Sequence, residues 1–350
     1  MEAKATRRPS VRPAASNRSR APERAGSADV AHASELRLGT RGSQLALWQA
    51  RAVAERIAEH GGPPCRIVVI KTSGDALADR PLSEAGGKRL FVKEIEDALL
   101  RNDIDLAVHS SKDMPAALPD GLAIAGVLPR EDPLDAVVLP VNVRPKPDVT
   151  VDDLIALLGP APNIGTGSVR RIAQLSRVFG GARFGAIRGN LDTRLRKLDA
   201  GDHDALVLAA AGLRRLGMGS RIAMTLPANA CVPAPGQGIV AIEIRADDQD
   251  VRRIVGQIDD ADAGVALEAE RAVVEALGGG CQTPIGALAV PLDGETIRLV
   301  AAVAALDGSQ IIRTTVTGPR REAAVLGARA GRDLIAQGAD VILAEAQTRA

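Results

Sequence analysis

From Leu36 onward the chain alternates short apolar runs with stretches of helical period, and no other feature narrows its possible folds as far. The order is an extended run at 35–38, a helix from about 43 to 60, a strand at 66–72, a helix from about 92 to 101, and a strand leading into His109. Such alternation predicts a doubly wound α/β domain, because parallel strands need crossover connections and helices supply them. Ser43 can cap the first helix, and Leu45, Trp48, Ala52 and Val53 recur on it at helical spacing, which predicts that Trp48 is buried in the core.

A proline-rich break at 140–147 introduces a second α/β unit, with an apolar helix at 151–158, a strand ending at Ile164, a helix opened by GTGSVRR (165–171) and a strand at 205–210. The segment CVPAPGQG (231–238) reads as an interdomain hinge that passes into a strand at 239–244. After Ala261, a helix at 265–277, a GGGC loop, strands near 287–290 and 297–305 and a final helix at 322–337 describe a smaller α+β domain.

Only 1% of the residues are aromatic and none is tyrosine, so the core must be aliphatic and stacking platforms for nucleic-acid bases are nearly absent. A net charge of +1 removes global attraction to polyanions and turns attention to local basic clusters. Cys65, Cys231 and Cys281 are odd in number and far apart, which fits a reducing compartment. No Cys/His spacing suits a metal, and no apolar run approaches the roughly 20 residues that span a bilayer. Residues 1–34 carry seven Lys or Arg against three Asp or Glu, have no apolar periodicity, and are expected to be a disordered extension.

Chemistry concentrates in four places. VHSSKDMP (108–115) follows an apolar run, so Lys112 and Asp113 should stand at the C-terminal end of a strand, where open α/β sheets bind ligands. It reads either as a capped strand end with solvated charges or as a carboxylate kept ionised by a neighbouring cation. GTGSVRR sets Thr166 and Ser168 at a helix N-terminus suited to an anion, while Arg170 and Arg171 in the first turn oppose the helix dipole by up to about 1 kcal/mol; the two arginines read either as solvated or as offset by an anionic ligand. Further cations recur at loop ends: Arg41, Lys88, Lys93, Arg188, Arg194, Arg214 and Arg215. Charge-assisted bonds to carboxylates contribute about 1.5–3 kcal/mol each, so converging arginines imply a ligand rich in carboxylates or phosphates. Finally, GGGCQTPIG (278–286) puts Cys281 on a glycine-rich loop, either as an inert thiol or as a nucleophile.

These motifs occur in one chain with LGTRGSQLALWQA (38–50), GGKRLFVKE (86–94) and IRGNLDTRLRKL (187–198), and together they closely resemble the porphobilinogen deaminase (hydroxymethylbilane synthase) family from about Leu36 to the C-terminus. The resemblance implies two doubly wound lobes like those of periplasmic binding proteins plus a smaller C-terminal α+β domain. The boundaries are 35–130 with 239–256 for a discontinuous first domain, 131–232 for the second and 261–350 for the third. It implies stepwise condensation of four porphobilinogen units, with loss of ammonia, to hydroxymethylbilane. Asp113 is implied as the catalytic carboxylate and Cys281 as the thioether attachment of a dipyrromethane cofactor. Arg41, Ser43, Lys88, Phe91, Lys112, Thr166, Ser168, Arg170, Arg171, Arg188, Arg194 and Arg215 are implied to bind cofactor or substrate. A cytoplasmic monomer with no metal, nucleic-acid or membrane partner is expected. A solute-binding module and a phosphate-ligand enzyme are the rival readings; the first would carry an export signal, and no such segment is seen. The sequence departs from the family pattern at Glu84, where relatives often have lysine, and at Arg89, where they usually have glycine.

Overall fold

The computed structural model describes residues 1–2, 35–73, 92–280 and 283–349. The expectations for residues 3–34, for Glu84, Lys88, Arg89 and Phe91, and for Cys281 lie outside the described residues.

In chain order the elements are β1 (Leu36–Thr40), α1 (Gln44–Glu59), β2 (Cys65–Val69), α2 (Lys93–Leu100), β3 (Leu106–Ser110), β4 (Leu122–Val127), β5 (Asp135–Val138), α3 (Val151–Leu158), β6 (Asn163–Gly165), α4 (Val169–Val178), β7 (Arg183–Gly185), α5 (Leu191–Asp199), β8 (Ala205–Ala209), α6 (Ala210–Arg215) and β9 (Ile222–Leu226). There follow β10 (Val240–Arg245), α7 (Gln249–Gly256), α8 (Ala261–Ala276), β11 (Ile285–Pro291), β12 (Thr296–Ala304), β13 (Ile311–Pro319), α9 (Ala323–Ala336) and α10 (Ala339–Arg349). Among the described residues these strands form three sheets, with orders β2-β1-β3-β10-β4, β7-β6-β8-β5-β9 and β11-β12-β13.

The two larger sheets share one plan. In each, three strands run parallel, joined by helical crossovers, and two pair antiparallel at the far side. The α/β alternation is therefore as expected, but the sheets are mixed rather than purely parallel. β10 enters the first sheet only after the whole second sheet has been built, so the chain passes between the two sheets twice.

Alternation along the buried strands sorts side chains to both faces of the second sheet. Val137, Ala205 and Val207 join Leu154, Leu175 and Phe179 in one core, while Ala136, Val138, Leu206 and Leu208 join Leu195, Leu198 and Leu213 in another. The first sheet packs Leu36, Leu38, Leu106, Val108 and Ile242 against Ala50, Val53 and Ile57 of α1. Each fully buried Val, Leu or Ile contributes roughly 1.5–3 kcal/mol, so the aliphatic core suffices with hardly any aromatic residues.

Three expectations change. The stripe of α1 that faces the core is Ala46, Gln49, Ala50, Val53 and Ile57, and Trp48 is 38% exposed rather than buried. The phase slips because Gln49 turns inward to exchange hydrogen bonds with Ser110, at 2.9 and 3.2 Å. β3 runs two residues further than the apolar run suggests, so His109 is a buried strand residue 3.1 Å from the buried carboxylate of Glu243. The C-terminal unit has a third strand, β13, and a further helix, α10, neither of which the sequence reading supplied. Their apolar residues, such as Ile312, Val316, Ile342 and Leu343, complete its core.

A buried carboxylate ties these parts together. Glu270 on α8 accepts from Arg130 at 2.7 and 3.2 Å, from the Gly236 amide at 2.6 Å and from the Ala289 amide at 2.7 Å. Glu270→Gln replaces one acceptor oxygen by a donor and leaves at least one of these donors unpaired. Such a loss costs about 1–3 kcal/mol, and it should appear as a lowered urea midpoint with an unchanged m-value.

Candidate active site

β3 carries the segment that organises the site. Its strand pairing ends at Ser110, and Ser111–Asp113 form one turn of 3₁₀ helix, which throws Lys112 and Asp113 to different sides. Two clefts flank this turn. One is lined by Lys112, Ser111 and Met114 together with Ser168, Arg170, Leu267, Arg271, Gly280 and Thr283. The other is lined by Asp113, His109 and Ser110 together with Arg41, Ser43, Leu45 and Gln49.

The GTGSVRR segment behaves as a helix start, but the anion beside it is internal. Ser168 is the N-cap residue of α4, and Arg170 and Arg171 are buried at 3% and 7% exposure. Arg170 donates to Asp135 at 2.7 and 3.2 Å, and Arg171 Nε donates to it at 2.9 Å, with Arg171 Nη2 at 2.8 Å. Gln237 donates to the same carboxylate at 2.9 Å. Burial alone would raise the Asp135 carboxyl, yet Arg170 and Arg171 hold it far below the ordinary carboxylate range. Burial likewise pulls the Arg170 guanidinium down, and Asp135 and Cys231 more than reverse this. The offset that the sequence assigned to a ligand is thus first supplied by Asp135, a residue the sequence reading passed over. Its signal was present: a carboxylate opening the apolar strand DAVV must be paired to be buried.

Arg170 is not used up by this pairing. Its buried Nε and the buried Ser111 Oγ find no hydrogen-bond partner among the described residues, and both residues line the first cleft. Ser168 makes no side-chain capping bond. Burial, and secondarily Arg171 and Arg170, lowers the Lys112 ammonium to about 8 against the opposing pull of Asp113 and Asp135. Arg194 is lowered to about 10, chiefly by burial and then by Arg171 and Arg188, while Asp113 acts the other way. Arg194 is therefore within electrostatic range of Arg171, Arg188 and Asp113.

Other expected residues have structural duties. Ser43 lines the second cleft but also caps α1, accepting from the Ala46 amide at 3.3 Å. Buried Thr166 accepts from the Ser168 amide at 3.3 Å and shapes the turn. Arg215 lines neither cleft; it donates to the Gly238 carbonyl at 2.7 Å, and its guanidinium carbon lies over the Trp48 ring. Arg271 was missed by the sequence reading. On α8, Leu267, Arg271 and Val274 share a face at helical spacing and reach the first cleft, where Arg271 also donates to the Ala116 carbonyl.

Cys281 lies outside the described residues, but its neighbours bound the first cleft. Thr283 Oγ1 donates to the Gly280 carbonyl at 2.5 Å and the Thr283 amide to the same oxygen at 3.0 Å. The two other thiols are inert by environment: burial pushes Cys231 up to about 12 and Cys65 up to about 11. Among the described residues no cluster of His, Cys, Asp or Glu could hold a metal, and no helix is long and apolar enough to cross a membrane.

The model for "Porphobilinogen deaminase, dipyromethane cofactor binding domain" matches residues 36–253, and that for the C-terminal domain of the same family matches residues 265–336. The chain belongs to the porphobilinogen deaminase family. The porphobilinogen deaminase of Geotalea daltonii is 42% identical over 316 residues, covering 90% of this chain and 96% of the relative. That of Syntrophotalea carbinolica is 44% identical over 312 residues, covering 89% and 96%. Among solved structures, immunogenic lipoprotein A from Vibrio vulnificus aligns with 67% of this chain and 99% of its own at 12% identity and a TM-score of 0.40, a likeness too loose to bear on function. The first cleft suits the porphobilinogen deaminase cofactor. Its lining combines apolar Met114, Leu267, Val274 and Ile285 with Lys112, Arg170 and Ser111, and the buried Arg170 Nε and Ser111 Oγ have no hydrogen-bond partner among the described residues.

Proposed function

We propose that this chain condenses four porphobilinogen units head to tail, with loss of ammonia, to hydroxymethylbilane in tetrapyrrole biosynthesis, using Asp113 as the catalytic carboxylate and Cys281 as the thioether anchor of a dipyrromethane cofactor. One observation carries the residue assignment. Asp113 and the residues flanking Cys281 line two clefts that meet at a single turn, Ser111–Asp113.

When bound, the dipyrromethane group supplies the pyrrole end on which the product is extended. Lys112, Ser168, Arg170 and Ser111 hold its acidic arms from the first cleft. Arg41, Arg188 and Arg194, with Arg171 behind them and Arg215 at the rim, take the carboxylates of incoming porphobilinogen. Ser43 and Thr166 shape the backbone that presents these groups, and Lys88 and Phe91 are further candidates for binding cofactor or substrate. Asp113 accepts hydrogen bonds from pyrrole N–H groups and opposes the positive charge that develops as ammonia departs. The sheets support a first domain of 35–130 with 239–256, a second of 131–232 and a third of 261–350, since β10 belongs to the first sheet. We read the enzyme as a cytoplasmic monomer acting on a small molecule without nucleic-acid or membrane partners, in keeping with a net charge of +1 and 1% aromatic content.

Intact mass spectrometry tests the anchor. The active protein should exceed its sequence mass, and Cys281→Ala should lose both the excess and the activity. A fully active protein at sequence mass overturns the assignment. A pH prediction follows from Lys112. Its charge is present below about 8 and is lost as pH rises through that value, so loading of the apoprotein with the dipyrromethane group should weaken above pH 8. In Lys112→Arg, whose charge persists, this decline should vanish from the pH profile of loading, followed by intact mass.

A further inference from the structure

We propose that Trp48 is a positioning residue for Arg215, holding that guanidinium at the rim of the cleft that contains Asp113. The inference rests on the reading that Arg215 takes a substrate carboxylate. The Arg215 Cζ atom lies 5.5 Å from the centroid of the Trp48 ring. Trp48 contributes little to the core, being 38% exposed on the outward side of α1. Leu45, three residues before it and on the same side of α1, lines the Asp113 cleft.

Three elements meet at this point. Arg215 ends α6 of the second sheet, Trp48 belongs to α1 of the first, and Arg215 Nη2 donates at 2.7 Å to the carbonyl of Gly238, where the hinge enters β10. A methyl group built at Gly212 of α6 would lie 3.6 Å from Leu45 Cδ2, so α1 and α6 are in van der Waals range along the same line. This contact has a chemical consequence. A guanidinium held over an indole directs its N–H groups away from the ring, and among the described residues one of those of Arg215 is taken, by the Gly238 carbonyl. The remaining donors suit bidentate capture of a carboxylate, and the contact removes the rotamer freedom that such capture would otherwise cost. Tryptophan is the best face for this contact, phenylalanine a weaker one, and leucine offers none.

The experiment uses the holoenzyme and exploits the fact that Trp48 is the single tryptophan of the chain. Trp48→Leu should raise the Michaelis constant for porphobilinogen about three- to fivefold, the range expected for loss of a half-exposed cation–π contact, while kcat changes less. Trp48→Phe should restore most of the loss. Emission of the wild-type protein should shift in Arg215→Met and on addition of porphobilinogen. If Arg215→Met raises the Michaelis constant while Trp48→Leu leaves it unchanged, the positioning role is overturned and the binding role of Arg215 stands. If Arg215→Met leaves it unchanged, the binding role fails and the proposal with it. If Trp48→Leu and Trp48→Phe lose kcat and melting temperature together, Trp48 is merely structural and the proposal is overturned.

Discussion

Asp113→Ala is expected to keep the fold and the covalently loaded mass while losing about a thousandfold in kcat. A carboxylate 4 Å from a developing cation, at an effective dielectric of about 20, contributes roughly 4 kcal/mol, which is on the order of a thousandfold in rate. Asp113 stands on a one-turn 3₁₀ segment beside a cleft, outside the buried core, so its removal costs little packing. Arg170→Ala should fail differently. It removes the partly unpaired guanidinium of the first cleft, so the purified variant should be deficient in the attached group before turnover is reached. Measuring intact mass and single-turnover rate on both variants separates the roles. Unloaded protein for Asp113→Ala, with normal loading for Arg170→Ala, would reverse the assignment.

Asp135→Ala should give the largest loss of stability, about 3–5 kcal/mol, because it leaves two buried guanidinium groups without their carboxylate. Against a typical total of about 5–15 kcal/mol for a folded protein, that moves the urea midpoint far enough to measure with ease. Asp135→Asn should lose less, since the amide oxygen still accepts from one arginine. The sign of the pH dependence is fixed as well. The folded Asp135 carboxyl titrates well below its unfolded value, so its contribution is present above the unfolded pKa near 4 and is lost as pH falls through the depressed folded value. The wild type should therefore lose this contribution progressively in acid below about pH 4, and the stability gap between wild type and Asp135→Ala should narrow there. A constant gap from pH 7 down to strong acid would remove Asp135 from the linkage.

Much of the site was legible because its motifs are local. GTGSVRR does open a helix with Ser168 at its cap, and Ser111, Lys112 and Asp113 of VHSSKDMP do follow a strand. Both depend on periodicity and end chemistry within ten residues or so, which a chain carries without knowing its tertiary partners. Family membership was equally legible, since it rests on motif strings spread over most of the chain. Boundaries erred where a neighbour intervened. β3 gains two residues because β10, more than a hundred positions later, pairs Val240 with Ser110 and Ala241 with His109.

What the sequence determined alone is the alternating α/β architecture, the aliphatic core forced by 1% aromatic content, and the identity of the chemical groups at the strand and helix ends. What only the tertiary structure decided is which buried polar groups pair. Asp135 meets Arg170 and Arg171 across 35 and 36 positions, Glu243 meets His109 across 134, and Glu270 gathers Arg130 from 140 positions away. Charges acquire strong partners only when burial removes competing water, and burial is set by how sheets and helices stack, which no local pattern encodes. The same reason moved Trp48. The helix spacing fixed that α1 has an apolar face, but the pairing of Gln49 with Ser110 chose its rotation, and that rotation turned the indole outward to Arg215.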